Sequence, residues 1–142
     1  TMLDDGTVLV AGGFNFRRVF ASAEIYDPAT GTWTETGRMT HSSWDHAATL
    51  LNDGTVLVAG GENFRRVFAG AELYDPTTGT WAETGRMAHN RSLPTATLLD
   101  DGTVLVAGGS NAVPGLASAE VYEPATTTSA PPSTGGNGLP RR

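Results

Sequence analysis

Short apolar runs recur along this chain, each cut off by Gly, Pro, Asn or Asp, and none holds the 3.6-residue period of an amphipathic helix. The most repeated run reads Asp-Gly-Thr-Val-Leu-Val-Ala-Gly-Gly and occurs at 5–13, 53–61 and 101–109. In the middle copy the pattern predicts four strands. The first covers His46–Leu51 and ends at Asn52-Asp53-Gly54, an Asp-Gly turn between two apolar runs and hence a hairpin signal. The second, Thr55–Ala59, is apolar at successive positions, so both of its faces should be covered, and Gly60-Gly61 should break it. The third, Ala71–Asp75, stops at Pro76, with Thr77-Thr78-Gly79 as a turn; the fourth, Thr80–Thr84, ends at Gly85. With no helical pattern anywhere, a parallel sheet with helical crossovers is ruled out.

The pattern repeats every 48 residues: Gly6, Gly54 and Gly102 share one position, Tyr26, Tyr74 and Tyr122 another, and Trp33 and Trp81 a third. Residues 1–48 and 49–96 differ at fourteen positions. A period in the range of roughly 40–50 residues is that of a propeller blade. The third unit keeps register through Tyr122 and then loses it, with Ser129 where the tryptophans stood. A strand ending in Gly-Gly, a dozen variable residues, then "AEIYDPATGTW" or "AELYDPTTGTW" closely resembles the kelch repeat in its bacterial style, as in the central-domain blades of galactose-oxidase-like proteins. The resemblance implies an all-β, kelch-type β-propeller segment of about three four-stranded antiparallel blades, the first strand of each nearest the axis. Units are expected at 1–48, 49–96 and 97–124, followed by a Thr/Ser/Pro/Gly-rich flexible tail at 125–142. A blade cannot bury its faces alone, so the sandwiched strand must recur in every copy. Tyr26, Trp33 and their equivalents are expected between blades, each aromatic covering on the order of 150–250 Å². Since a closed propeller typically has about 4–8 blades, either a longer protein or a second copy of the chain is expected to complete the ring.

Composition narrows the function classes. The net charge is −6 and all nine basic residues are Arg, which argues against nucleic-acid or anionic-membrane binding. The absence of Cys excludes Cys-ligated zinc and thiol nucleophiles, and also the Tyr–Cys cofactor of the galactose-oxidase-like enzymes, at least within this chain. No apolar run approaches the roughly 18–20 residues of a membrane span. The Gly-Thr-Trp of "YDPATGTW" belongs to a turn and not to the Ser-x-Asp-x-Gly-x-Thr-Trp box of sialidase-type propellers. The composition of the tail leans toward an extracellular or surface location.

An antiparallel blade places the turns joining strands one to two and three to four on one propeller face, and the other two connections on the opposite face. The first set scarcely varies between copies; the second carries most differences: Phe14 against Glu62 and Ser110, "FRRVF" against "AVPGL", and "SSWDH" against "NRSLP". Variable loops on a repeated scaffold are where binding resides. Two adjacent Arg flanked by Phe in "NFRRVF" suit a carboxylate, a phosphate or a stacked ring, which makes Phe16, Arg17, Arg18, Phe64, Arg65 and Arg66 candidate binding residues. His41, Trp44 and Asp45, with His89 and Arg91 from the matching loop, join them. His41, Asp45 and His46 have metal-ligand chemistry, but the matching loop does not repeat it, so no metal or cofactor site is expected. Glu24, Glu72 and Glu120, two residues before each Tyr, are expected to accept hydrogen bonds within their own blades, with Arg38 or Arg86 as partners. The expectation is therefore a non-catalytic binding or scaffolding module for protein or carbohydrate; the alternative is a piece of a kelch-propeller enzyme whose catalytic residues lie outside this chain.

Overall fold

The computed structural model describes residues 1–112 and 114–125; most of the expected tail falls outside them. Among the described residues every regular element is a strand. The first unit supplies β1 (Val8–Ala11), β2 (Phe14–Asn15), β3 (Arg18–Val19), β4 (Ala23–Asp27) and β5 (Thr32–Glu35). The second supplies β6 (Trp44–Leu50), β7 (Val56–Asn63), β8 (Arg66–Val67), β9 (Gly70–Asp75) and β10 (Thr80–Arg86). The third adds β11 (Thr95–Leu98), β12 (Val104–Ala107) and β13 (Ala119–Tyr122).

The middle unit is a complete antiparallel blade in the order β6-β7-β9-β10, with β8 pairing off the end of β7. Its neighbours are three-stranded, β1-β4-β5 and β11-β12-β13, and Met2 bridges to Val8 where a first strand would lie. Registers match from blade to blade: Val8, Val56 and Val104 each stand opposite the Tyr of their own unit. This is the partial propeller that the repeat predicts.

Two of the expected strand ends are corrected. The second strand does not stop at Gly60-Gly61 but runs through to Asn63, and the fourth passes Gly85 by a bulge between Glu83 and Arg86. Glycine permits both because it adds no Cβ where the backbone bends. At Gly60 a Cβ would also lie 2.4 Å from the Arg91 carbonyl oxygen, and φ is +72°. Gly12 stands in the same relation to Ser43, at 2.4 Å with φ of +70°. The doublet is therefore where the segment leading into the next blade crosses, and any side chain there would collide with its backbone.

The core lies between the blades. Leu3, Leu9 and Ala23 of the first meet Val56, Val58 and Tyr74 of the second, with Met39 between them. Leu57, Ala59 and Ala71 on the other side of the second blade meet Val104 and Val106 of the third, with Leu51 joining. Residues 56–59 are thus buried throughout, alternately against one neighbour and the other, which is why that strand carries no polar position. Each fully buried Val or Leu there contributes roughly 1.5–3 kcal/mol. Trp81 holds the same junction from outside, its indole N–H donating to the Gly37 carbonyl at 2.9 Å while the Tyr74 hydroxyl meets Thr36 Oγ1 at 2.8 Å.

Candidate binding face

Each "NFRRVF" stretch folds as a small β-hairpin, which the strand pattern alone does not predict. Asn15 Oδ1 accepts from the amides of Arg17 and Arg18 at 3.0 and 2.9 Å, and Asn63 Oδ1 does the same for Arg65 and Arg66 at 2.9 and 3.1 Å. This Asx turn satisfies the tip and holds Phe16-Arg17 and Phe64-Arg65 outward. The second Arg of each pair turns back: Arg18 lies 4.8 Å over the ring of Phe20 and Arg66 4.9 Å over that of Phe68. Arg17 and Arg65 extend into solvent, so only one guanidinium per hairpin faces outward from the tip.

Three aromatics from two blades meet beside these tips. Trp44, at the start of β6, lies 4.7 Å from the ring of Phe14 and 5.2 Å from that of Phe64, and the two phenylalanines are 6.5 Å apart, edge to face. Phe14 is 50% and Phe64 59% exposed, and Phe16 on the neighbouring hairpin is fully so. Phe14 is a site residue that the reading of "NFRRVF" passed over. Its signal was present in the repeat: Phe14 and Trp44 stand where other units carry Glu62, Ser110 and Ser92, so the scaffold does not require a ring at either place.

The remaining candidates serve the junctions between blades. His41 Nδ1 is 3.5 Å from both Glu72 and Glu83, with its ring 5.5 Å from that of Phe68, and His89 Nδ1 is 3.5 Å from Glu120. Asp45 has φ of 56°, as Leu93 has 54° at the matching place, and the Leu93 amide donates to the Asp45 carbonyl at 2.8 Å. The left-handed backbone there turns each linking segment into the first strand of its blade. Arg91 is removed from the set of surface groups. It is 0% exposed and donates to the carbonyls of Gly108 and Ser118 and to Glu120, at 2.8, 2.9 and 2.9 Å.

The glutamates are likewise corrected. Glu72 accepts from the amides of Thr40 and His41 at 2.7 and 3.1 Å, and Glu120 from those of Ala88 and His89. Each clamps the segment that leads into its own blade, and the arginine used is Arg91, not Arg38 or Arg86. Burial pushes the Glu120 carboxyl up, but the two amides and the Arg91 guanidinium outweigh it and hold the group below its ordinary value. At the first junction His46 Nδ1 pairs with Ser43 Oγ at 3.1 Å, and burial holds its pKa below the ordinary value against the Ala11 carbonyl and nearby carboxylates. His41, Asp45 and His46 are spent separately, and among the described residues no group of three metal-ligating side chains converges.

The opposite face is built from self-satisfied turns. Asp5, Asp53 and Asp101 accept from both the amide and the hydroxyl of Thr7, Thr55 and Thr103, at 2.7 to 3.0 Å. The threonine hydroxyls hold the carboxyls of Asp5 and Asp101 below their usual range, as that of Thr77 does for Asp75. The net negative charge is therefore unevenly spread: carboxylates line the turn face, and the outward guanidiniums of the hairpins line the other. Among the described residues no helix is long and apolar enough to cross a membrane.

A search of curated proteins finds no match. The family model described as "Kelch motif" matches residues 3–40 and 45–88, a span that covers the first two blades and ends where the second hands over to the third. Together these matches take in more than half of the chain, and with blade, register and junction repeating as they do, the chain belongs to the kelch-motif family.

Proposed function

We propose that this chain is a non-catalytic binding and scaffolding module that recognises protein or carbohydrate through its hairpin face. Kelch motifs generally mediate protein binding and scaffolding. The observation that carries the choice of face is the aromatic group Phe14–Trp44–Phe64, with both phenylalanines at least half exposed and two of the rings at positions where the other units are polar. Clustered rings with a guanidinium beside them have the composition of interface hot spots, and exposing them in a monomer brings no folding benefit. The turn face, by contrast, spends its polar groups on its own backbone.

The test is a protein and glycan array probed with the native chain, with Phe14→Ser/Phe64→Ala, and with the turn-face variant Asp53→Asn/Thr77→Ala. Hits should disappear with the hairpin variant and persist with the turn variant. The reverse pattern would refute the assignment.

A further inference from the structure

The two blade junctions share one plan, with Arg91, Pro94 and Ser118 of the second replaced by Ser43, His46 and Gly70 in the first. At the second, Arg91 enters a frame made by Gly108, Ser118 and Glu120; its Nη1 reaches the carbonyls of Gly108 and Ser118, and its Nη2 reaches Ser118 Oγ and Glu120, all between 2.8 and 2.9 Å. One repeat earlier, the equivalents are Gly60, Gly70 and Glu72, and the residue in place of Arg91 is Ser43. Glu72 keeps its counterpart's two bonds to linking-segment amides and its 3.5 Å approach to a histidine; the guanidinium is missing, and so is the Ser118 hydroxyl, since Gly70 has no side chain. In its place is a cavity of about 250 Å³, walled by Ser43, Gly60, Gly70, Glu72, Val58 and Met39. A water occupies about 30 Å³ of liquid, so this space holds a planar cation and several waters besides. Its rim is formed by exposed Arg66, Arg86 and Asn90, together with His41 and Glu83.

We infer that this cavity is a binding site for a guanidinium group: the side chain of an arginine on a partner, or a small guanidinium compound. The second junction shows what the frame accommodates, because the chain fills the equivalent space with that group. A guanidinium meets a carboxylate and two backbone carbonyls in one plane, and its weak hydration lowers the cost of entering a half-buried site. Arg66 and Arg86 at the rim repel any cation, so selection depends on fit within the cavity and not on long-range attraction. Arg66 is meanwhile held over the ring of Phe68. The site lies between blades and does not depend on the aromatic group of the hairpins.

The full chain is titrated with L-argininamide and with L-lysinamide at equal ionic strength, following backbone amide shifts at Gly70 and Glu72 by NMR. Argininamide should saturate, and bind about tenfold tighter than lysinamide, whose ammonium cannot span a plane of acceptors. Glu72→Gln should weaken binding roughly tenfold or more. Because that change also loosens a linking segment, Ser43→Arg/His46→Pro provides a second measurement. It gives the first junction the arginine and the proline of the second, and should raise the melting temperature and abolish argininamide binding. Equal affinity for the two amides, no saturation, a lower melting temperature in the double variant, or binding that survives in it would each overturn the inference. Acetyl-Gly-Arg-Gly-amide separates the sources: binding at least as tight as argininamide identifies a partner's arginine, and exclusion of the tripeptide with argininamide retained identifies a small guanidinium compound.

Discussion

Tyr74 and Trp81 of the second blade and Tyr26 and Trp33 of the first are the same residues in the same register, yet their surroundings differ. Tyr74 is 2% exposed and Trp81 is half-buried, its indole bonded to the preceding blade, whereas Trp33 is 54% exposed. Both pairs keep their mutual contact, with ring centroids 4.8 Å apart in the first blade and 5.0 Å in the second. What differs is the neighbour. Among the described residues a sheet lies against this side of the second blade and none against that of the first, where Val10 is also exposed and Glu24 is open to solvent. In a propeller, then, burial belongs to the junction and not to the residue, and identical sequences carry unequal shares of stability.

The sharpest way to break that statement is to truncate both members of a pair. Tyr74→Ala removes a buried ring and its hydroxyl bond to Thr36, and should cost about 3–5 kcal/mol of unfolding free energy. Tyr26→Ala, half-buried against Trp33 alone, should cost about 1 kcal/mol. Urea denaturation of the two variants measures the ratio. Equal losses would mean that the aromatics act within their own blade.

That inequality also marks what could be read from the sequence. The four strands of the middle unit, the turn face and the doubly covered strand 56–59 are legible because alternation and Asp-Gly turns are local signals. The hairpins are not, since Asn-Phe-Arg-Arg lacks the Asn-Gly or Asp-Gly signature and is closed by a side chain, Asn15 or Asn63. The partners of Glu72 and Glu120 are illegible for another reason: they lie on the segment leading into the blade, some thirty residues earlier in the chain. Arg91 looks like a surface group because loops usually carry them, and only the blade arriving behind it buries it. The exchange of Ser43 and His46 for Arg91 and Pro94 is visible in the repeat, but only the structure shows that Ser43 pairs with His46 while Arg91 is buried against Glu120.

The glycine doublet gives the next contrast. Gly60 and Gly31 share a positive φ, but a Cβ at Gly60 would strike the Arg91 carbonyl at 2.4 Å while one at Gly31 has nothing within 4 Å. Gly31→Ala should lose only the cost of left-handed backbone, about 1–2 kcal/mol. Gly60→Ala should lose more, roughly 2–4 kcal/mol, because the linking segment must also move. A loss at Gly60 no larger than at Gly31, measured by the same denaturation, would show that the crossing segment yields freely.

Trp81→Ala and Trp33→Ala refine the first comparison on the outer strand. Trp81 combines partial burial with a hydrogen bond to Gly37, so about 2 kcal/mol is expected, against about 0.5 kcal/mol for the largely exposed Trp33. Should an additional blade or a second copy of the chain cover the first face, the Trp33 value would climb toward that of Trp81. The pair of measurements therefore reports whether that face is occupied in solution.

The smallest effect distinguishes the two junctions by pH. Burial favours neutral His46 in the folded chain, so its folded pKa lies below the ordinary 6.5. The unfolded chain then binds more protons in the interval between the two values, and stability must fall as pH drops below about 6.5, with a slope of at most about 1.4 kcal/mol per pH unit. The loss is complete once pH has passed through the folded pKa. At the second junction Pro94 occupies the equivalent position, and the titrating group is Glu120. Its folded pKa is also depressed, so its contribution is present above its ordinary 4.5 and disappears only below that. Denaturation midpoints from pH 7.5 to 3 should therefore show two declines, the upper absent in His46→Gln and the lower blunted in Glu120→Gln. If His46→Gln keeps the decline just below pH 6.5, His46 is not the group that sets it.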